Sequence, residues 1–202
     1  YFSNGSLSQV LKATSDKSNH YNTYSRFDNA KKMINIYGIA SAMKYMHSLG
    51  VYHYELDASN IIEDNEFHPK ICDFGFSQNL NSLKTLSKVN DYSYYSAPEF
   101  VLESNFSGKC DVYSFGLLMY EILTNKNPYQ DVAQFDHLTG LYKGSRPPLE
   151  DIDEIPRKFK DLIKSCWSQN PNERPDFEEI CKELTNIDQF CLPGVDETEY
   201  LG

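Results

Sequence analysis

Three oxygen-bearing side chains lie close together in the sequence and could hold a hard cation. Glu55 is followed five residues later by Asn60, and Asp73 opens the triplet 73–75 (DFG). Mg²⁺ prefers oxygen ligands and keeps several of its waters, so a few protein ligands suffice. The spacing therefore indicates a site for a divalent cation such as Mg²⁺.

The composition indicates a globular chain with an acidic surface. Its 202 residues are 40% apolar and 14% aromatic, enough for a sizeable core. The formal net charge of −10 argues against nucleic acid and anionic membranes as partners. No apolar run approaches the roughly 18 residues of a membrane-spanning helix, and no signal peptide is visible.

The cysteines predict a reducing environment. They are odd in number and scattered, without C-x-x-C spacing, at Cys72, Cys110, Cys166, Cys181 and Cys191. This pattern predicts free, mostly buried thiols, no zinc site and a cytoplasmic location. Because the chain begins at Tyr1 rather than at Met, we expect it to be a fragment.

The apolar spacing predicts helices that flank the acidic residues. Asp28 should cap a long amphipathic helix that ends near Leu49, before Gly50. The segment 111–123 is apolar nearly all round, so we expect a buried helix there. Further helices are predicted from Ser6 through Leu7, Val10 and Leu11, over 158–166, and from the capping box of Asp176 and Glu179 to about Ile187.

Shorter pieces are predicted between these helices. The segments 51–53, 60–62 and 69–72 are β-prone and separated by turn residues. The segments 12–26 and 76–96 are polar and lack periodicity, so both are predicted to be loops.

Five motifs follow one another in the order found in protein kinases. Residues 53–62 (HYELDASNII) resemble the catalytic loop H-R-D-L-x-x-x-N, and 73–75 match D-F-G. Residues 97–99 match A-P-E, 111–116 (DVYSFG) resemble the start of the central helix, and 166–175 (CWSQNPNERP) resemble the closing C-W…P-x-x-R-P. The chain thus resembles the C-terminal lobe of a eukaryotic protein kinase, and its motif residues are most similar to those of the tyrosine-kinase-like Ser/Thr branch.

The resemblance implies a fold class and a domain organisation. The expected fold is mainly α with short β pieces, an α+β kinase fold with the N-terminal lobe absent. Residues 1–27 would hold the hinge, a first short helix and a loop, 28–190 the C-terminal lobe, and 191–202 a polar tail. The glycine-rich loop and the strand lysine of the kinase mechanism lie upstream of the part that matches.

Several positions have structural roles by resemblance. Asp111 is expected to accept backbone N–H bonds from His53 and Tyr54 and so to anchor the loop. His53 and Phe74 are expected to stack in the hydrophobic column that links the two lobes, which makes His53 a structural residue rather than a base. Glu99 and Arg174 should form a buried ion pair.

The positions that serve the chemistry are mixed. Asn60 and Asp73 match the family's two Mg²⁺ ligands, and Ile62 is expected to contact the cofactor. Glu55 stands at the position of the catalytic base, one methylene longer than aspartate. Asp57 replaces a lysine that neutralises the phosphoryl group, so its charge is reversed.

Two further departures concern the activation segment. Tyr92 aligns with the threonine that usually bridges the base and the lysine. Tyr54 replaces the arginine that in many kinases holds a phosphorylated loop residue. Tyr95 matches a packing position, which makes it a poor phosphorylation site.

Three hypotheses follow from these departures. The favoured one is a catalytically impaired, pseudokinase-type module that binds protein substrates or partner kinases, without a cofactor in this fragment. The alternative is an ATP- and Mg²⁺-dependent Ser/Thr protein kinase in which Glu55 is the base and the N-terminal lobe lies outside the chain. The third is a degenerate gene product. We also expect an exposed apolar face around Ile62 and Phe74, where the absent lobe would pack.

Overall fold

The computed structural model describes residues 4–15, 26–74, 78–79, 92–150 and 152–195. Within these ranges the chain is mainly helical, with four very short strands. The helices are α1 Leu7–Ser15, α2 Asn29–Ser48, α3 Pro98–Glu103, α4 Gly108–Thr124, α5 Gln134–Lys143, α6 Arg157–Cys166, α7 Phe177–Leu184 and α8 Ile187–Phe190. The strands are β1 Val51–Tyr52, β2 Ile61–Glu63, β3 Pro69–Ile71 and β4 Gln78–Asn79.

Helix α2 forms where its apolar spacing predicts it. The Asp28 carboxylate accepts a hydrogen bond from the Lys31 N–H at 3.1 Å, which satisfies one of the free N–H groups at the helix start. After Ser48 the chain turns at Gly50, whose φ of 70° favours glycine. The buried face of α2 comprises Ala30, Met33, Asn35, Ile36, Ile39, Ala40 and Met43.

Helix α4 is the centre of the fold. Every residue from Cys110 to Leu123 is buried, as its continuous apolar pattern predicts. It packs against α2 on one side and α6 on the other. At Gly116 the backbone of α4 comes close to the end of α6. A Cβ on Gly116 would lie 3.0 Å from the Cys166 Cβ and 3.2 Å from the Trp167 N.

The strands form two small antiparallel pairs beside the helices. Strand β2 pairs with β3, with Ile61 opposite Ile71, and the turn between them is tightened by Asp64, which accepts bonds from two backbone N–H groups. Strand β1 pairs with β4, so 78–79 form a strand inside the segment predicted to be a loop. Residues 76–77 and 80–91 of that segment lie outside the described residues.

Two helix ends differ from the prediction. Helix α1 continues through Lys12 to Ser15, into the predicted loop, because lysine and alanine favour the helix. The last long helix ends at Leu184 instead of near Ile187. The Thr185 hydroxyl donates to the Lys182 carbonyl at 2.7 Å, a local bond that competes with helix continuation, and α8 starts separately.

The remaining sequence expectations divide into tested and untested ones. The capping box of α7 is present, since the Asp176 carboxylate accepts from the Glu179 N–H and the Glu179 carboxylate accepts from the Asp176 N–H. All five cysteines are free thiols. Among the described residues, every helix is too short or too polar to cross a membrane. The domain boundaries at 27/28 and 190/191 stay predictions.

Candidate functional site

Asp111 fixes the position of the loop that carries the candidate site. It is fully buried on α4, and its Oδ2 and Oδ1 accept the N–H groups of His53 at 2.9 Å and Tyr54 at 2.7 Å. These are the contacts that the resemblance implied. A third contact was missed by the sequence reasoning: His47 Nε2 lies 2.9 Å from Asp111 Oδ2. His47 follows Met43 by one helical turn, a spacing that marks it as facing the core.

His53 uses both ring nitrogens within the loop. The ring is fully buried, its Nε2 lies 3.0 Å from the Cys72 carbonyl oxygen, and its Nδ1 accepts the Glu55 N–H at 3.3 Å. Because Nδ1 accepts from this N–H, Nε2 is the ring nitrogen that can donate to the Cys72 carbonyl. The ring meets Phe74 edge-on at 5.3 Å between centroids, where the sequence predicted a stack. His53 therefore joins the catalytic loop to the Asp73-Phe74 segment.

Asn60 is oriented by the loop that precedes it. Its Nδ2 donates to the Glu55 carbonyl at 2.8 Å, which leaves Oδ1 as the atom of the amide that could face a cation. Asp73 is exposed and has a φ of 60°, in the left-handed region that few non-glycine residues adopt. An anchored amide and an exposed carboxylate fit Mg²⁺, which takes few protein ligands and several waters.

The donor set excludes a richer metal centre in the part of the chain that the structure describes. No group of three or more His, Cys, Asp or Glu is arranged there to hold a metal ion. Among the described residues, Asn60 and Asp73 are the two that match the expected ligands of a cation.

Glu55 lies in an acidic environment. Partial burial raises the pKa of its carboxyl above the usual range, and the nearby carboxylates of Asp73 and Asp57 raise it further. A carboxylate with a raised pKa in a loop site is a candidate general base, because its pKa moves toward the operating pH.

Asp57 has a structural role that the sequence did not predict. Its Oδ1 accepts the Ser59 N–H at 2.8 Å, the Ser59 hydroxyl at 2.5 Å and the Asn60 N–H at 3.2 Å. It thereby caps the 3₁₀ turn Ala58–Asn60, whose last residue is the candidate metal ligand. The residue at the lysine position is thus a cap that orients Asn60, and a negative charge beside Glu55.

Tyr54 belongs to the core rather than to the surface of the loop. Its ring is buried and stacks on Phe100 at 6.0 Å, with Phe106 at 5.8 Å and Tyr52 at 6.0 Å around it. Burial raises the pKa of the phenol, and its hydroxyl is buried without a hydrogen-bond partner. The position of the motif arginine therefore holds an aromatic side chain that packs in the core.

Tyr92 connects the activation segment to helix α5. Its hydroxyl donates to the Gln134 carbonyl at 3.2 Å, and its ring stacks on His137 at 6.0 Å. Tyr94 donates to the Val132 carbonyl at 2.9 Å, and Tyr95 donates to a buried carboxylate on α4. The threonine position thus holds a residue whose hydroxyl bonds to α5.

Glu99 and Arg174 form the buried ion pair that the resemblance implied. Arg174 Nη1 and Nη2 donate to the two carboxylate oxygens at 2.6 and 2.8 Å, a bidentate arrangement. The guanidinium also donates to the carbonyls of Ser168 and Lys109. The pair joins α3 to the segment before α7, across 75 residues of sequence.

The predicted apolar face is only partly present. Phe74 is 48% exposed, whereas Ile62 is half-buried between β3 and an isolated bridge to Ser6. The expected contact of Ile62 with a cofactor stays a prediction.

Comparison with known proteins identifies the family. The family model described as protein tyrosine and serine/threonine kinase matches residues 1–184. A probable LIM domain-containing serine/threonine-protein kinase of Dictyostelium discoideum is 36% identical over 151 residues, covering 75% of this chain and 15% of the relative. Human mitogen-activated protein kinase kinase kinase 7 is 32% identical over 164 residues, covering 78% of this chain and 26% of the relative.

The chain thus spans about a quarter or less of the lengths of these relatives. Its helices and motif contacts agree with the match, and the fold is the mainly helical one of a kinase C-terminal lobe. The chain belongs to the protein tyrosine and serine/threonine kinase family.

Proposed function

We propose that this chain is a kinase-shaped, protein-binding module with impaired phosphoryl transfer. One observation carries the proposal: at three altered positions the side chain serves the fold instead of the chemistry. Tyr54 fills an aromatic cluster, Asp57 caps a turn, and Tyr92 bonds to α5. Its partners would be protein substrates or partner kinases.

The charge balance of the site supports this proposal. The charges of Asp73 and Asp57 both act on the Glu55 carboxyl, and Asp57 stands where the resemblance places a neutralising lysine. Phosphoryl transfer depends on positive groups that stabilise the charge on the transferring oxygens. An additional carboxylate repels that charge, so the site is poorly suited to the transition state.

The same residues could still bind a nucleotide. Asn60 and Asp73 would hold Mg²⁺, which supplies charge neutralisation when it is bound, and Ile62 and Phe74 would offer apolar contacts. Cation binding and transfer are therefore separable at this site, because the cation ligands are retained while the lysine position is altered.

A second candidate function is an ATP- and Mg²⁺-dependent Ser/Thr protein kinase with Glu55 as the base. It is favoured by the carboxylate of Glu55 next to Asp73, and by the bond from Asn60 that fixes the Glu55 backbone. The extra methylene of Glu55 displaces its oxygens by about 1 Å, a misplacement that can cost roughly 10²-fold in rate.

The two functions are distinguished with the protein expressed from the coding sequence that extends to both sides of these residues. Transfer of labelled phosphate from Mg·ATP to a generic protein substrate is compared between the wild type and Asp73→Asn. We expect no transfer above the Asp73→Asn level. Transfer that greatly exceeds that level, is kept in Glu55→Asp and is lost in Glu55→Gln would establish the kinase instead.

Nucleotide binding is measured separately by thermal unfolding. A ligand that binds only the folded state raises the melting temperature according to its concentration relative to Kd. A shift with Mg·ATP that disappears in Asp73→Asn, without transfer, assigns a nucleotide-binding module. Absence of the shift leaves a binding module that does not use ATP.

A further inference from the structure

Helix α5 carries the most exposed large apolar side chains among the described residues. Phe135 is 78% exposed and Tyr142 is 76% exposed. They lie seven residues apart, with the half-exposed Leu138 between them, so all three share one face of the helix. The spacing i, i+3, i+7 is that of a seam which packs against another helix.

A neighbouring helix extends this face. Leu102 on α3 is 44% exposed, and α3 packs against α5. A cavity of about 680 Å³ lies between α3 and the segment 169–172, lined by Leu102 and Pro171 among others, and Tyr142 lines it from α5. The four side chains Phe135, Leu138, Tyr142 and Leu102 are called the α5 surface below.

The charges around the α5 surface are mainly negative. Glu103 lines the cavity, and Asp131 and Asp136 are exposed at the start of α5. The Lys109 ammonium, which also lines the cavity, donates to the Arg174 carbonyl at 2.7 Å and is therefore already engaged. Lys143 is the exposed cation of α5 itself.

These features select the kind of partner. A second copy of this chain on the same surface would place two sets of Glu103, Asp131 and Asp136 against each other. Isologous pairing brings identical patches together, so like charges would face like charges at a cost. A helix with basic flanks avoids this repulsion, and its Lys or Arg stems could also cover the apolar rim.

We propose that the α5 surface binds an amphipathic helix of a partner protein, whose apolar seam is flanked by Lys and Arg. The proposal goes beyond the function proposed above and holds whether or not the chain transfers phosphate. Phe135 and Tyr142 are the two anchors, since large aromatic side chains carry most of the energy of such contacts. Glu103, Asp131 and Asp136 select the basic flanks.

The test uses two synthetic peptides of about three heptads with leucine at positions a and d. One carries lysine at e and g, and the other carries glutamate. Binding to the full chain is measured by fluorescence anisotropy at physiological salt. We expect the basic peptide to bind at least about tenfold more tightly than the acidic one, because its charges complement the surface.

Single substitutions locate the binding site. Phe135→Ala and Tyr142→Ala should each weaken the basic peptide by about tenfold or more. The controls are Tyr45→Ala on α2 and Leu49→Ala directly after it, which remove exposed apolar side chains elsewhere and should leave affinity unchanged. All four residues are exposed, so the variants should melt like the wild type.

Three results would overturn the proposal. The first is no binding of the basic peptide. The second is non-specific adsorption. It would be seen if the Tyr45→Ala and Leu49→Ala variants weakened binding as much as the α5 variants do, or if the acidic peptide bound as tightly as the basic one. The third is self-association in sedimentation equilibrium that Phe135→Glu abolishes, which would assign the surface to a second copy.

Discussion

Tyr54 shows how a position of the catalytic loop can serve the core. Its hydroxyl is buried without a partner, while its ring packs against Phe100 and Phe106. Tyr54→Phe should therefore leave the free energy of unfolding unchanged or raise it by up to about 1 kcal/mol, because an unpaired buried hydroxyl is removed. Urea titration followed by circular dichroism measures this change.

Tyr54→Arg restores the residue of the family motif and should have the opposite effect. A guanidinium cannot enter the aromatic cluster without losing its water, so we expect a loss of roughly 2–4 kcal/mol in unfolding free energy. The prediction is wrong if the arginine variant is as stable as the phenylalanine variant, since Tyr54 would then not contribute through packing.

Asp111 is the single residue on which the loop geometry depends most. It accepts hydrogen bonds from two loop N–H groups and contacts His47. Asp111→Asn replaces one of these oxygens with a donor and leaves a buried N–H without a partner. We expect a loss of at least about 2 kcal/mol in unfolding free energy. Asp131→Asn, at an exposed position with φ 65°, is the control and should be neutral.

At the scale of elements, the approach of α4 to α6 depends on a missing side chain. A Cβ on Gly116 would lie 3.2 Å from the backbone N of Trp167, directly after α6, and backbone atoms cannot move aside as the end of a side chain can. Gly116→Ala should therefore lower the unfolding free energy by roughly 1–3 kcal/mol, despite the helix propensity of alanine.

Gly140 on α5 provides the matched comparison. A Cβ there would meet only the Ser145 side chain, at 3.4 Å and 3.6 Å, and the residue has helical backbone angles. Gly140→Ala should raise the unfolding free energy by about 0.5–1 kcal/mol. If Gly116→Ala also raises the unfolding free energy, helix propensity rather than interhelical packing decides the outcome at that position.

The long elements could be predicted from sequence because their signals are local. Helix α2 has a cap at Asp28 and a regular apolar face, and α4 has an unbroken apolar run. Strand β4 could not be predicted, because its two residues gain their structure only by pairing with β1, from Val51 to Asn79 and from Tyr52 to Gln78. The end of α7 was missed because one hydroxyl, that of Thr185, decides it.

The site was predicted in its parts but not in its connections. Motif order identified Asp111 as the partner of the loop N–H groups and Glu99 as the partner of Arg174, since these contacts follow from the family fold. The capping role of Asp57 and the position of Tyr54 in the core were not predicted. Both depend on where a side chain turns after the backbone is fixed, and residue type alone does not determine that.

At the scale of the whole molecule, two buried carboxyls make stability depend on pH. Burial raises the pKa of Glu63 and of Glu121 to about 7. Around Glu63, Asp64 raises the pKa, whereas the bond from Asn35 and the charge of Lys70 lower it. The folded chain thus keeps protons on both groups at pH values where the unfolded chain has lost them.

The direction of the pH effect follows from this difference. Between about pH 4.5 and pH 7 the folded state binds more protons than the unfolded state, so stability falls as pH rises, by roughly 2–3 kcal/mol per carboxyl. Glu63→Gln and Glu121→Gln should each remove part of this fall. Urea titrations at pH 5 and pH 8 measure it. The exposed Glu103→Gln should keep the wild-type dependence, and the assignment fails if it flattens the profile as well.

The cap made by Asp57 has a consequence for substitutions in this loop. A lysine at that position would abolish three hydrogen bonds of the turn before it could neutralise any phosphate. An arginine at position 54 would likewise disrupt the aromatic cluster. Each of these two changes alone therefore gives a less stable protein. The turn and the aromatic cluster must change together with residues 57 and 54 if stability is to be kept.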